Sequence, residues 1–177
     1  ESIRPAPQGG HYVIVNGKDH YVAHGYEVTV KPGQEVEAGD TLSEGVVNPK
    51  QVVMHKGIGE GRRLMIESLR NAYKAAGQDG HRRNTELLAR GLIDHVELHD
   101  ELGHYNPGDV VPYAYVANNY QAREGHKVSH PKDVKGWYLE KPVLHYSIGT
   151  AIKPSVMRTL EQFGVQKVTA HKEPPSF

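Results

Sequence analysis

Between Lys31 and Lys50 the chain reads KPGQEVEAGDTLSEGVVNPK, and this stretch constrains the fold more than any other. Pro32-Gly33 and Gly39-Asp40 are tight-turn signals, and Glu35-Val36-Glu37-Ala38 between them alternates as a short strand does. Asn48-Pro49 supplies a helix N-cap and a proline at the first helical position, where the missing N–H is harmless. The expectation is a compact β-sandwich corner that hands the chain to a helix. If Gly39 has a positive φ, valine there should damage the turn.

Upstream, His11 to Val15 and His20 to Ala23 are β-rich runs joined by Asn16-Gly17, the strongest short hairpin signal. Tyr26 to Val30 also alternates. Downstream the character changes. Pro49 to Lys56 can form a short helix, Gly57-Ile-Gly-Glu-Gly61 reads as a flexible connector, and Arg62 to Ala76 is the best helix in the chain. Met65, Leu69, Ala72, Tyr73 and Ala76 fall on its apolar face, so Tyr73 and Leu69 are expected in the core and Tyr73→Ala to cost about 3–5 kcal/mol. Gly77 stops this helix. A second runs from Arg82 to Gly91 with Leu87, Leu88 and Leu92 as its apolar contacts.

Beyond it, Asp94 to His99 alternates like a strand, Asn106 to Asp109 is a turn, Tyr113 to Arg123 can be helical, and Gly125 to Gly136 is a polar loop. The tail reads strand (Val143 to Ile148), helix (Ser155 to Phe163), stop (Gly164) and strand (Lys167 to His171). No internal repeat or low-complexity segment stands out. The expected class is α+β in three parts: a small β barrel-sandwich hybrid over residues 1–47, a helical segment with strand and loop over 48–136, and a strand–helix–strand element over 137–177.

Composition narrows the function. The 177 residues hold 21 basic and 21 acidic side chains, so no net field draws the chain onto nucleic acid or an anionic membrane. Zero cysteines remove disulfides, thiol catalysis and cysteine-rich zinc sites. No apolar run approaches the ~20 residues of a membrane span, and no secretory signal opens the chain. It begins with Glu1 rather than methionine, as a processed product or a piece of a longer protein would.

Twelve histidines raise the question of a metal. The best local pair is His95 and His99 in DHVELHDELGH. On a helix they would converge on zinc, but Val96 stands where the zinc-protease motif needs its glutamate base. The local pattern is strand-like, which separates the two, and no metal site is expected. The glycines from Gly57 to Gly61 suggest a phosphate cradle, yet they fit neither the dinucleotide fingerprint nor a P-loop, and a hinge between helices is the simpler reading. Arg62, Arg63, Arg82 and Arg83 are basic pairs that could touch phosphate, although such pairs are more often solvated helix starts. No serine sits in a nucleophile elbow, and carboxylate pairs such as Glu97 with Asp100, or Asp40 with Glu44, fall in turns or exposed strands. No catalytic residues and no cofactor are expected.

Lys31 to Lys50, followed by Met54-His-Lys-Gly57 and a helix ending Asn71-Ala-Tyr-Lys-Ala-Ala-Gly77, resembles the C-terminal region of the largest (β′) subunit of bacterial multisubunit RNA polymerase. That family carries the turn–strand–turn G-x-x-V-x-x-G-D-x-(I/L)-(S/T)-(E/D)-G, then a short helix and a longer one. Gly33, Val36, Gly39, Asp40, Leu42, Ser43, Glu44, Gly45, Pro49, Gly57, Tyr73 and Gly77 match this pattern. The resemblance extends from Glu1 to about Gly136 and is specific in Lys31 to Gly77. The family's magnesium-binding N-A-D-F-D-G-D triad is absent. Its terminal segment is replaced by HYSIGTAIKPSVMRTLEQFGVQKVTAH, as in a viral or split relative.

The resemblance implies a non-catalytic polymerase piece that buttresses the active-site module and contacts other subunits. It implies at most indirect contact with nucleic acid, none with membrane, and a place in the cytoplasm of the host cell or in a virion. Any nucleotidyl transfer would belong to the assembly, not to this chain alone. A phage virion structural or interaction protein that kept the fold and lost the chemistry is the alternative. A small hydrolase or metal enzyme using the histidines is the third reading.

Overall fold

The computed structural model describes residues 2–45 and 47–177. It is mixed α+β, with helices and small antiparallel sheets, and none of the sheets among the described residues closes into a barrel. The chain divides into two compact units, residues 1–48 and 49–177.

In the first unit, β1 (Ser2–Pro5), β2 (His11–Val15) and β3 (Lys18–Val22) form an antiparallel sheet in that order. Asn16 (φ 49°) and Gly17 (φ 75°) make the β2–β3 turn, the doubly left-handed geometry that matches strand twist. Tyr12 faces Tyr21 across the strands at 5.5 Å, and Arg4 pairs with Asp19.

Both tight turns of the Lys31–Lys50 stretch are formed. The Gln34 N–H donates to the Lys31 carbonyl and the Asp40 N–H to that of Glu37, each at 3.0 Å. Gly33 (φ 80°) and Gly39 (φ 91°) occupy the positions that need a left-handed residue. Each turn is locked by a side chain, Gln34 Oε1 accepting from the Lys31 N–H and Asp40 Oδ2 from the Glu37 N–H. The expected strand between them does not form: among the described residues no strand pairs with residues 35–38. Tyr26 to Val30 likewise contributes one isolated bridge, Val28 to Ser43.

The second unit opens with α1 (Pro49–Lys56) and α2 (Ile58–Ala75), then α3 (Arg82–Leu92). Gly57 caps α2 with φ 88°, and Gly59 and Gly61 lie buried in its first turn. The segment is therefore helix rather than connector. Its glycines answer close packing: a Cβ on Gly59 would overlap the His145 carbonyl oxygen, and one on Gly61 would overlap Val53. The expected apolar face of α2 is not the buried one. Residues 71–79 are exposed, Tyr73 by 36%, and only the amino-terminal end enters the core. Leu87, Leu88 and Leu92 on α3 are 69%, 50% and 65% exposed, with Thr85 and Ala89 turned inward instead.

After α3 the chain builds one motif twice, displaced by 41 residues from Leu98 to Leu139, where the sequence pattern suggested no repeat. The first copy contains β4 (His95–Glu97), β5 (Val110–Pro112) and α4 (Tyr113–Asn119). Then β6 (Lys127–Ser129) and a 3-10 turn (Pro131–Val134) occupy the expected polar loop. The second copy contains β7 (Tyr138–Leu139) and α5 (Pro154–Gln162), and β8 (Val168–His171) comes after it. The tail sheet has the order β6-β8-β7. Val143 to Ile148 is a tight turn rather than a strand.

The copies share hydrogen bonds almost atom for atom. Leu98 N–H to the Asp109 carbonyl and Leu139 N–H to that of Thr150 are both 3.0 Å; Gly108 to Leu98 and Gly149 to Leu139 are both 2.7 Å. Isolated bridges Leu102–Tyr105 and Val143–Tyr146 correspond. Each copy has its own core, with Leu98, Val111 and Tyr105 in one at the places of Leu139, Ile152 and Tyr146 in the other. Burying a leucine fully is worth about 1.5–3 kcal/mol, so these pairs are strong anchors.

Two substitutions distinguish this arrangement from an amphipathic α2. Gly59→Ala should destabilise the protein by about 3 kcal/mol through overpacking against a backbone carbonyl, read from the midpoint of urea unfolding. Tyr73→Ala should cost no more than about 1 kcal/mol, as exposed substitutions do, rather than the core value expected from the sequence.

Candidate functional site

Helices α2 and α3 and the 142–147 turn enclose a groove of about 480 Å³ in the second unit. Its walls follow from helical spacing. Arg62, Arg63, Ile66, Glu67 and Arg70 form one face of α2, while Arg82, Glu86 and Arg90, four residues apart, form a stripe on α3. Ile58, Tyr113, Pro142, Leu144 and Tyr146 supply apolar surface. Five guanidinium groups line the groove; Glu67 and Glu86 in its lining and Asp94 and Glu60 beside it oppose them, which leaves a local excess of positive charge that the chain's zero net charge hides.

The arginines are not equivalent. Arg62 is braced, its Nε donating to the Ile93 carbonyl at 2.7 Å and Nη2 to Asp94 Oδ1 at 2.6 Å, with its guanidinium 5.6 Å from the centre of the Tyr113 ring. Burial pushes the Arg62 pKa down and Asp94 opposes it, while the charge of Arg90 pushes it further down. Arg63 is held by Glu60 and Glu67, and Arg82 by Glu86 at 2.7 Å. Arg70 and Arg90 have no ion pair among the described residues.

The 142–147 turn is fixed to the start of α2. His145 Nε2 lies 2.6 Å from Glu60 Oε1. Burial alone would raise the Glu60 carboxyl, but hydrogen bonds from His145 and Arg63 overcome it and hold the pKa at about 2. The Ile148 N–H donates to the Tyr113 hydroxyl at 2.9 Å, and burial raises that phenol above its ordinary value. Leu144 takes φ 56°, a costly conformation for a leucine.

A second polar node lies behind the turn. Glu140 has a fully buried carboxylate that accepts from Arg123 Nη2 at 2.6 Å, from the Arg123 backbone N–H at 2.9 Å and from the Tyr120 hydroxyl at 3.0 Å. Burial raises its pKa, and these donors more than reverse the effect. Burial and then the Glu140 bond push Tyr120 up to about 12. Arg123 also donates to the carbonyls of Glu173 and Pro174. Among the described residues no buried side-chain nitrogen or oxygen lacks a partner.

Of the four arginines expected near phosphate, the structure brings Arg62, Arg63 and Arg82 to the groove; Arg83 lies on α3 outside its lining. Arg62 is half-buried and ion-paired rather than a solvated helix start. Arg70 and Arg90 join them without having been expected, although Arg63/Arg70 and Arg82/Arg90 at helical spacing were the available signal. In the glycine-rich segment the Gly61 N–H bonds back to the Gly57 carbonyl and Gly59 abuts the His145 carbonyl. His95 pairs with Pro112 in β4–β5, and the His99 N–H donates to the Ser176 carbonyl. Among the described residues no three His, Asp or Glu side chains converge as metal ligands, and no helix is long and apolar enough to cross a membrane.

Both polar nodes can be tested by unfolding. Arg123→Ala strands the buried Glu140 charge and should cost about 3–5 kcal/mol of unfolding free energy. Because the Glu60 pKa is depressed on folding, its contribution is full above the ordinary value of 4.5 and fades as pH falls toward about 2. The stability gap between the parent protein and Glu60→Gln, measured by urea unfolding across that range, should therefore close as the solution becomes more acidic.

No family model matches the chain. It is 30% identical over 113 residues to the DNA-directed RNA polymerase subunit β′ of Syntrophomonas wolfei, covering 59% of this chain and 9% of that protein. It is 33% identical to the β′ subunits of Deinococcus radiodurans over 73 residues (41% of this chain, 5% of the relative) and Symbiobacterium thermophilum over 88 residues (50% and 7%). The chain spans less than a tenth of the length of these relatives. About half of it is thus a region similar to bacterial RNA polymerase β′ subunits.

Proposed function

We propose that this chain is a non-catalytic, β′-like piece of a multisubunit DNA-directed RNA polymerase, acting as scaffold for the transcription enzyme. The likeness to β′ subunits over 113 residues carries the reading. In it, residues 1–47 act as the barrel-sandwich-like part, 48–136 as the β′-like helical part, and 137–177 as an element particular to this chain. Nucleic-acid contact is indirect, and the place of work is the cytoplasm.

The exposed Leu87, Leu88 and Leu92 of α3 support a role in an assembly. They lie close together on one short helix, and apolar clusters of this kind mark protein contacts. Their expected partners are other polymerase subunits.

Affinity purification of the tagged chain from its native cell should recover polypeptides carrying the aspartate triad. Leu88→Glu combined with Leu92→Glu should reduce that recovery by about tenfold and leave the melting temperature unchanged, since both side chains are exposed. Recovery in a capsid or tail shell without such polypeptides would overturn the proposal in favour of a virion component.

A further inference from the structure

We propose that the groove between α2 and α3 is a binding site for a nucleoside polyphosphate. The inference does not depend on the polymerase reading and goes beyond it. Three observations converge. A groove of about 480 Å³ is in the size range of small-molecule sites. Its positive charge exceeds its negative charge, and Arg70 and Arg90 are without ion pairs among the described residues. Planar guanidinium forks match phosphate oxygens, and an anion there would relieve the repulsion that Arg90 exerts on Arg62.

The third observation points to the non-phosphate part of the ligand. Leu144 holds a left-handed backbone at the groove while half exposed. The corresponding residue of the first copy is Gly103, at φ 66°, so the turn itself needs no side chain at this position. A strained residue that the fold does not require is a marker of function. With the exposed Pro142 it gives the groove an apolar surface suited to a base and sugar, which inorganic phosphate would leave unused.

Titration calorimetry on the full chain tests this with ATP, tripolyphosphate, adenosine and a 5′-phosphorylated trinucleotide. ATP should bind one to one, and about tenfold or more tightly than either tripolyphosphate or adenosine. Arg70→Ala with Arg90→Ala should weaken ATP by at least about tenfold at unchanged melting temperature, as neither residue holds an ion pair. Leu144→Gly copies the first turn and keeps its conformation; it should bring ATP down to the affinity of tripolyphosphate and leave tripolyphosphate unaffected. Equal binding of ATP and tripolyphosphate with Leu144→Gly silent would reduce the groove to a charged patch and overturn the proposal. So would the absence of saturable binding at about 1 mM ATP, or a trinucleotide that binds more tightly than ATP, which would assign the groove to nucleic-acid ends. None of these results bears on which polypeptides co-purify with the chain.

Discussion

The contact between the first turn of α2 and the His145 peptide sets the geometry of the second unit. A helix can approach a carbonyl so closely only where it has no side chain, and Gly59 provides that place. Once docked, the helix cannot rotate, since Glu60 is tied to His145 and Gly57 packs against Ser147 and Thr150. The register of α2 then determines everything along it. Arg62 reaches Ile93 and Asp94, and Arg63, Ile66 and Arg70 face the groove. The excess of positive charge is thus a product of backbone packing at one glycine.

Behind this contact stands the duplicated motif, which gives the unit two adjoining cores. The copies differ where they meet other elements. In the second copy Ser147 and Ile148 are buried and the turn meets α2; in the first, the corresponding Asn106 and Pro107 are exposed. The motif is a hairpin with a helix after it, and its turn is the adaptable part. Glu140 sits in the second copy at the position of His99 in the first. Its buried charge is tolerable because four donors from residues 120–123 surround it, and the same arginine reaches the tail.

The sequence disclosed features governed by local chemistry. Asn16-Gly17 and Pro32-Gly33 turn where their φ requirements place them, the turn expected at Gly39-Asp40 forms one residue earlier at Ala38-Gly39, Pro49 and Pro154 open helices, and Gly77 and Gly164 close them. Features that depend on distant partners were hidden. Residues 35–38 alternate, yet alternation makes a strand only when a neighbour accepts its hydrogen bonds. The glycines at 57, 59 and 61 look like flexibility, whereas the reason for Gly59 lies at His145, far along the chain. The apolar residues of α2 and α3 suggested buried faces, but much of that surface is solvent-exposed in this chain. The duplication is hidden because its sequence trace is slight: Leu98, His104, Tyr105 and Gly108 recur as Leu139, His145, Tyr146 and Gly149. Of the groove, the arginines at helix starts were legible and those a turn or two further on were not.

The stretch from Val168 to Phe177 serves both copies in turn. Thr169 accepts from the Glu140 N–H at the edge of the second, and Ser176 accepts from the His99 N–H at the edge of the first. Arg123 grips the carbonyls between them, and Phe177 reaches the first core beside Tyr120. This closing strap orders events during synthesis. The first motif leaves the ribosome well before the strap, and translation adds only about 5–20 residues each second. For several seconds it must wait with an open edge and an incomplete core, and the unit locks only after Phe177 has emerged.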